Sequence, residues 1–175
     1  MATRTGVIGP ATVPSRDEEL VAVYGEGIRA GLVGAATIAL WFFLIDLVNG
    51  HPLYTPTLLG TAVFRGVDAV TDPSAIEPSF EMVLSFTWIH TLAFVLVGIA
   101  AAWLLALAER NASYGFGILL LFAIFESGFI VACMLFFEPV LQALAWPAVV
   151  VGNLLAALAM AGVFWRRHRH MVVAP

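Results

Sequence analysis

Three polar side chains, His90, Glu126 and Asn153, stand inside long apolar stretches of this 175-residue chain. An ionisable group among apolar neighbours is costly to keep charged. It exchanges a proton, holds a ligand, or is neutralised by a hydrogen-bonded partner. For His90 and Glu126 the chemistries in question are a proton relay, a metal ligand pair and a contact to a bound cofactor. The structural alternative is a buried pair that fixes helix packing. Asn153 fits an interhelical hydrogen bond, since asparagine often joins helices in an apolar medium. Asp46, His51, Glu81 and Glu138 form a second polar layer. Three carboxylates and an imidazole at one level could bind a cation. They also read as solvated helix ends, with Glu81 near a helix start favoured by the helix dipole.

Other chemistries are set aside by what the sequence lacks. The single cysteine, Cys133, cannot form an internal disulfide, and a zinc site built on cysteines is excluded. It reads as a small buried apolar residue. A di-iron bundle uses Glu-x-x-His pairs, and none occurs. His168 and His170 lie in a basic tail, so His90 alone qualifies for a haem inside the membrane, and a bis-histidine haem is not expected. The formal net charge of -4 provides no basic patch for nucleic acid. The sequence points to no particular cofactor. All eight basic residues are arginine, which we read as a GC-rich coding bias.

The elements that must position these groups follow from composition. Hydrophobic residues make up 61% of the chain and charged residues 11%, against roughly 45–50% and about 25% in soluble domains. The charges gather at the ends and in the connections, leaving stretches long enough to span a bilayer, for which about 20 apolar residues suffice. The pattern predicts an all-α integral membrane four-helix bundle. Its helices run from about Gly27 to Val48, Phe80 to Ala108, Tyr114 to Phe137 and Val140 to Trp165, with Pro147 set to kink the fourth or shift its start. Residues 1–26 form a polar N-terminal segment, disordered to about residue 15. Residues 27–165 are the transmembrane domain, and 166–175 a basic tail. No cleavable signal peptide is expected, because the first 25 residues are polar and carry Pro10 and Pro14.

Within the first helix Gly27-x-x-x-Gly31 is a small-xxx-small pattern that admits a second helix close to the backbone. The connection 49–79 contains an apolar piece too short to span, Thr57–Phe64, suited to an interfacial or re-entrant helix. Thr55 is placed to cap it, with Pro56 as its first residue. At 1.5 Å per residue, His90, Glu126 and Asn153 fall about 14, 18 and 20 Å below the outer boundary, a common middle layer of a hydrocarbon slab about 30 Å thick. Trp88 and Trp165 suit the interfacial belts.

Arginine placement sets the orientation. Arg4, Arg16, Arg29, Arg110, Arg166, Arg167 and Arg169 share one side, and Arg65 stands on the other. Both termini are therefore expected in the cytoplasm, with a periplasmic connection between the first two helices, in a bacterial inner membrane.

The run Trp41 to Gly60, with Asp46, Gly50, Pro52 and Thr55-Pro56, resembles a group of uncharacterised bacterial four-helix membrane proteins. So do Leu144-Ala145-Trp146, the segment Val151 to Ala157 and the Trp165-Arg166-Arg167-His168 ending. The likeness extends over most of the chain from about residue 27. It implies the four-helix fold and carries no activity with it.

Three functions are then expected, in descending order. The first is an accessory or structural subunit of a larger respiratory or photosynthetic membrane complex. The second is a small transporter or proton-conducting protein using His90 and Glu126, and the third a metal-dependent membrane enzyme using the outer carboxylates. The partners expected are the lipid bilayer and other membrane subunits or copies of the same chain. Phe116, Phe122, Phe125, Phe129, Phe136 and Phe137 fall on more than one face of the third helix, so one internal core cannot use them all.

Overall fold

The computed structural model describes residues 15–72, 75–110 and 146–167, together with Ser127 and Val131. Among the described residues every regular element is helical. They are α1 (Arg16–Val48), α2 (Tyr54–Arg65), a 3-10 turn (Val67–Val70), α3 (Phe80–Arg110) and α4 (Trp146–Arg167). α1, α3 and α4 are long and apolar enough to cross a membrane, which marks the chain as a membrane protein. The expected helix Tyr114 to Phe137, with Glu126 and Cys133, lies outside the described residues apart from Ser127 and Val131. So do Glu138, residues 1–14 and residues 168–175.

α1 begins at Arg16, not at Gly27 as its apolar run predicts. The reason is a capping box. The Ser15 hydroxyl accepts from the Glu18 amide at 3.3 Å, and the Ser15 amide donates to Glu18 Oε2 at 2.8 Å. Two orphan amides are thus satisfied at once, and Asp17, Glu18 and Glu19 in the first turn complement the helix dipole. The polar residues 16–26 therefore continue the same helix. At 33 residues α1 is about 50 Å long, well beyond a hydrocarbon slab.

The buried face of α1 repeats at helical spacing: Glu26 and Gly27, Ala30 and Gly31, Gly34 and Ala35, then Phe42 and Asp46. Small side chains dominate its first half, and there α3 lies against the backbone itself. A Cβ added to Gly27 would stand 2.5 Å from Ile99 Cα; one on Gly31 would stand 2.6 Å from Val95 Cα. Gly98 of α3 faces the same crossing, where a Cβ would collide with the Gly27 carbonyl oxygen. The small-xxx-small pattern does mark a close helix contact, completed by this third glycine. As numbers rise along α1 through Gly27, Gly31 and Ala35, they fall along α3 through Ile99, Val95 and His90, so the two helices are antiparallel.

α4 packs on α1 over the same length. Gly34 meets the Met160 thioether, and Gly152 meets Trp41 and Ile38. The Trp41 indole Nε1 donates to the Ala148 carbonyl at 2.9 Å. A Cβ at position 152 would lie 2.8 Å from the Trp41 ring, so the absence of a side chain there makes room for the indole. Within the described residues α4 runs from Trp146 to Arg167 and carries Pro147. α4 is also antiparallel to α1, so α3 ends and α4 begins at opposite ends of α1.

Beyond the end of α1 the chain reverses through Asn49 and Gly50 into α2. Leu58, Ala62 and Val70 form a small core there, flanked by Tyr54, Leu59 and Ile76. Leu58 and Val70 are fully enclosed. Gly60 brings α2 onto the first turn of α3, against the Met82 carbonyl. Thr57 Oγ1 donates to the Leu53 carbonyl at 2.8 Å and accepts from the Ser79 amide at 3.3 Å, tying both ends of the connection together.

Candidate functional site

Asp46 is a buried carboxylate engaged through both of its oxygens. It sits near the end of α1 and is 3% exposed. One carboxylate oxygen accepts from the Thr55 amide at 2.8 Å, the other from the Thr55 hydroxyl at 2.7 Å. The Asp46 main-chain carbonyl also accepts from the His51 amide at 2.9 Å. An acid from one helix thus caps the next, satisfying an orphan amide and placing negative charge at the positive end of α2.

This corrects the expectation that Thr55 is itself the cap. Leu53 occupies the cap position and makes no side-chain capping bond, and Thr55 lies one residue inside the helix. Leu53 has φ 69°, the left-handed region, the one positive φ outside glycine among the described residues. That conformation turns the chain so that Thr55 meets Asp46. Nearby, burial raises the Tyr54 phenol above its ordinary value, with the Asp46 and Asp72 carboxylates adding to the effect.

The other expected members of the outer layer are placed differently. His51 is exposed in the reversal. Glu81 is exposed at the start of α3, with a carboxylate oxygen 3.7 Å from Arg65. A pair that open to solvent adds at most about 1 kcal/mol. Glu138 lies outside the described residues. Among the described residues, no three His, Cys, Asp or Glu side chains gather where a metal ion could be held. Among the described residues Asp46, His51 and Glu81 do not form such a group.

His90 lies on the face of α3 that meets α1. Its Nε2 is 3.3 Å from the Ala35 carbonyl. A carbonyl can only accept, so the nitrogen facing it carries the proton. The ring lies between Phe86, stacked at 5.5 Å, and Phe94 at 4.8 Å. These three residues are spaced four apart on α3. The arrangement orients an imidazole rigidly and joins two helices. Glu126 lies outside the described residues. Asn153 is half-buried on α4, beside the Gly152 that receives Trp41.

Three features of the polar framework were not singled out from sequence. They are the Thr55 bonds to Asp46, the Trp41 bond to Ala148, and Glu26, buried on α1. Trp41 and Ala148 carry no pattern that links them, being 107 residues apart. Glu26 does carry a signal: it is an acid one residue before the glycine pair that α3 covers. Among the described residues no buried side-chain nitrogen or oxygen lacks a partner.

Comparison with known proteins adds no family. No family model, no curated protein and no solved structure matches the chain.

Proposed function

We propose that this chain is a small accessory or structural subunit of a larger membrane complex, respiratory or photosynthetic. The observation that carries the reading is what its polar side chains do. Asp46 caps α2, Trp41 joins α1 to α4, and His90 joins α3 to α1. Each holds one helix to another. Meanwhile α3 turns a row of large apolar side chains outward, Leu84, Trp88, Leu92, Leu96 and Trp103. Lipid accepts such a row, and a neighbouring subunit accepts it with better van der Waals packing. The second reading, a transporter or proton-conducting protein using His90 and Glu126, draws support only from the depth of His90. The bond to the Ala35 carbonyl commits one ring nitrogen to structure.

The topology within this proposal is four crossings with both termini in the cytoplasm. Two arguments support it. The last described turn of α3 and the first described turn of α4 lie at opposite ends of α1, as the expected crossing over Tyr114 to Phe137 requires. Among the described residues Arg16, Arg29, Arg110, Arg166 and Arg167 lie towards the end where α1 begins, and Arg65 lies at the other end. The α2 connection is then periplasmic and the membrane is a bacterial inner membrane. Reporter fusions at each terminus and in residues 50–79 test the orientation; a periplasmic C-terminus overturns it. Purification of the untagged protein from native membranes in mild detergent, followed by native mass spectrometry, tests the role. The expected result is stoichiometric co-purifying membrane subunits. A clean monomer, under conditions that preserve other membrane complexes, overturns it.

A further inference from the structure

At the end of the bundle opposite α2, a groove of about 420 Å³ opens between α1 and α4, lined by Glu26, Arg29, Val163 and Arg166. Arg29 and Arg166 come from antiparallel helices and stand on the same groove from two sides. Both are exposed, and among the described residues neither guanidinium has an ion-pair or hydrogen-bond partner. That contrasts with Arg65 at the other end, which has Glu81. The groove floor includes Glu26, which is buried and already engaged. Two arginines against one carboxylate leave the lining net positive.

Depth fixes what such a groove meets. Trp146 and Trp165 both project outward from α4, and Trp165 is 75% exposed. Their separation along the helix is about 28 Å, close to the hydrocarbon thickness, so they match the two interfacial belts. Arg166 follows Trp165 directly and therefore stands just beyond the hydrocarbon, at the level of lipid phosphates. Arg29, across the groove on α1, shares that level. On α1 the next charged residue after Arg29 is Asp46, about 26 Å further along. Guanidinium groups present a planar fork that pairs with two phosphate oxygens at once. Basic pockets between spanning helices favour anionic headgroups for this reason.

We propose that the Arg29–Arg166 groove binds a phosphate group, supplied by the headgroup of an anionic lipid or by free phosphate. The site holds the phosphate between α1 and α4 and so joins the two helices where no glycine contact does. It does not depend on the chain being an accessory subunit, nor on which side of the membrane this end faces.

Native mass spectrometry of the full chain, delipidated in mild detergent, tests it. The probes are short-chain phosphatidylglycerol, phosphatidylcholine of the same chain length, and inorganic phosphate. Phosphatidylglycerol should be retained about tenfold more tightly than phosphatidylcholine. The double variant Arg29→Gln with Arg166→Gln should lose that preference, while Arg65→Gln, at the opposite end, keeps it. Circular dichroism of each variant checks that the helices are intact. If millimolar inorganic phosphate displaces the lipid from the native chain, the site recognises free phosphate. If it does not, the lipid headgroup is the ligand. Equal retention of the two lipids, or a preference that survives in the folded double variant, overturns the proposal. Should the double variant fail to fold, the single variants decide by the same criterion, each losing part of the preference.

Discussion

Around α2, the connection between α1 and α3 is packed as a small water-soluble domain is. Leu58 and Val70 are fully enclosed, a buried carboxylate caps a helix, and threonine hydroxyls bridge the strands of chain that meet there. Midway along α1 the packing is of another kind. Gly31, just inside the hydrocarbon, lies on the backbone of α3, and large side chains such as Leu84, Trp88 and Leu96 turn outward. The contrast follows from the solvent each region faces. Where water is near, enclosing apolar side chains is itself the driving force. In hydrocarbon a leucine gains nothing by leaving lipid for protein, so helices associate through close backbone contact and a few polar bonds. The two regions should therefore fail in different ways when altered.

The largest effect is expected at the glycine crossing. Gly98→Leu drives a side chain into the Gly27 carbonyl and the Gly31 backbone, neither of which can rotate away. Overpacking in a close-packed core costs about 1–3 kcal/mol, and backbone on both sides places this case at or above the top of that range. The variant should lose the α1–α3 association while each helix still inserts. Cysteine crosslinking between positions on α1 and α3, in membranes, should drop to background. Crosslinking at native yield would mean that the crossing is not what holds these helices.

Asp46→Ala should come next, and its damage should stay local. It leaves the Thr55 amide and hydroxyl without their acceptor in a buried place, worth about 2–3 kcal/mol for a charged acceptor. The cap around α2 should exchange its amides faster while α1 and α3 keep theirs. Asp46→Asn keeps one good acceptor and should cost about half as much. Global loosening on Asp46→Ala would show that the two regions are one cooperative unit.

His90→Phe is milder. It keeps the aromatic row with Phe86 and Phe94 and removes only the bond to Ala35. Interhelical bonds of this kind average about 0.6 kcal/mol in membranes, with a maximum near 1.7. A thermal midpoint lowered by a few degrees, with the oligomeric state unchanged, is the expected outcome. Loss of a native function without loss of stability would favour the proton-conducting reading.

These contrasts also explain what the sequence could reveal. The three described spans were legible because length and apolarity are properties of a window. The Gly27-x-x-x-Gly31 contact was legible because two glycines at that spacing already make a notch. Gly98, alone on its helix, carried no such signal. The start of α1 was misplaced because the first polar turns mask a helix, although Ser15-x-x-Glu18 spells the capping box that begins it. The cap on α2 was sought in Thr55, the neighbour in sequence, and came from Asp46 after a chain reversal. His90 was expected to pair with Glu126, which lies outside the described residues. The bond placed here goes to a backbone carbonyl, and a backbone acceptor leaves no mark in the residue types.

That chain reversal offers the smallest and finest test of the comparison. Leu53 holds φ 69° in order to turn α2 towards Asp46. For a residue with a Cβ that conformation costs about 1–2 kcal/mol, a strain the surrounding bonds must offset. Its carbonyl does the work, accepting from the Thr57 hydroxyl at 2.8 Å and the Thr57 amide at 3.2 Å. Leu53→Gly keeps the carbonyl, removes the strain and gives up only a half-buried side chain, but it also frees the unfolded chain, an entropic cost of up to about 1 kcal/mol. The terms nearly cancel, so the expected net change is a gain of no more than about 0.5 kcal/mol. Leu53→Asn, which tolerates the left-handed region without the glycine entropy, should gain slightly more. Leu53→Val must behave oppositely, because a β-branched side chain suits that region worst. Slower amide exchange in α2 for asparagine than for leucine, and faster for valine, would show that the cap is held against backbone strain by Asp46. A valine variant as well protected as the native chain would place the turning force elsewhere, in the Leu58–Val70 core.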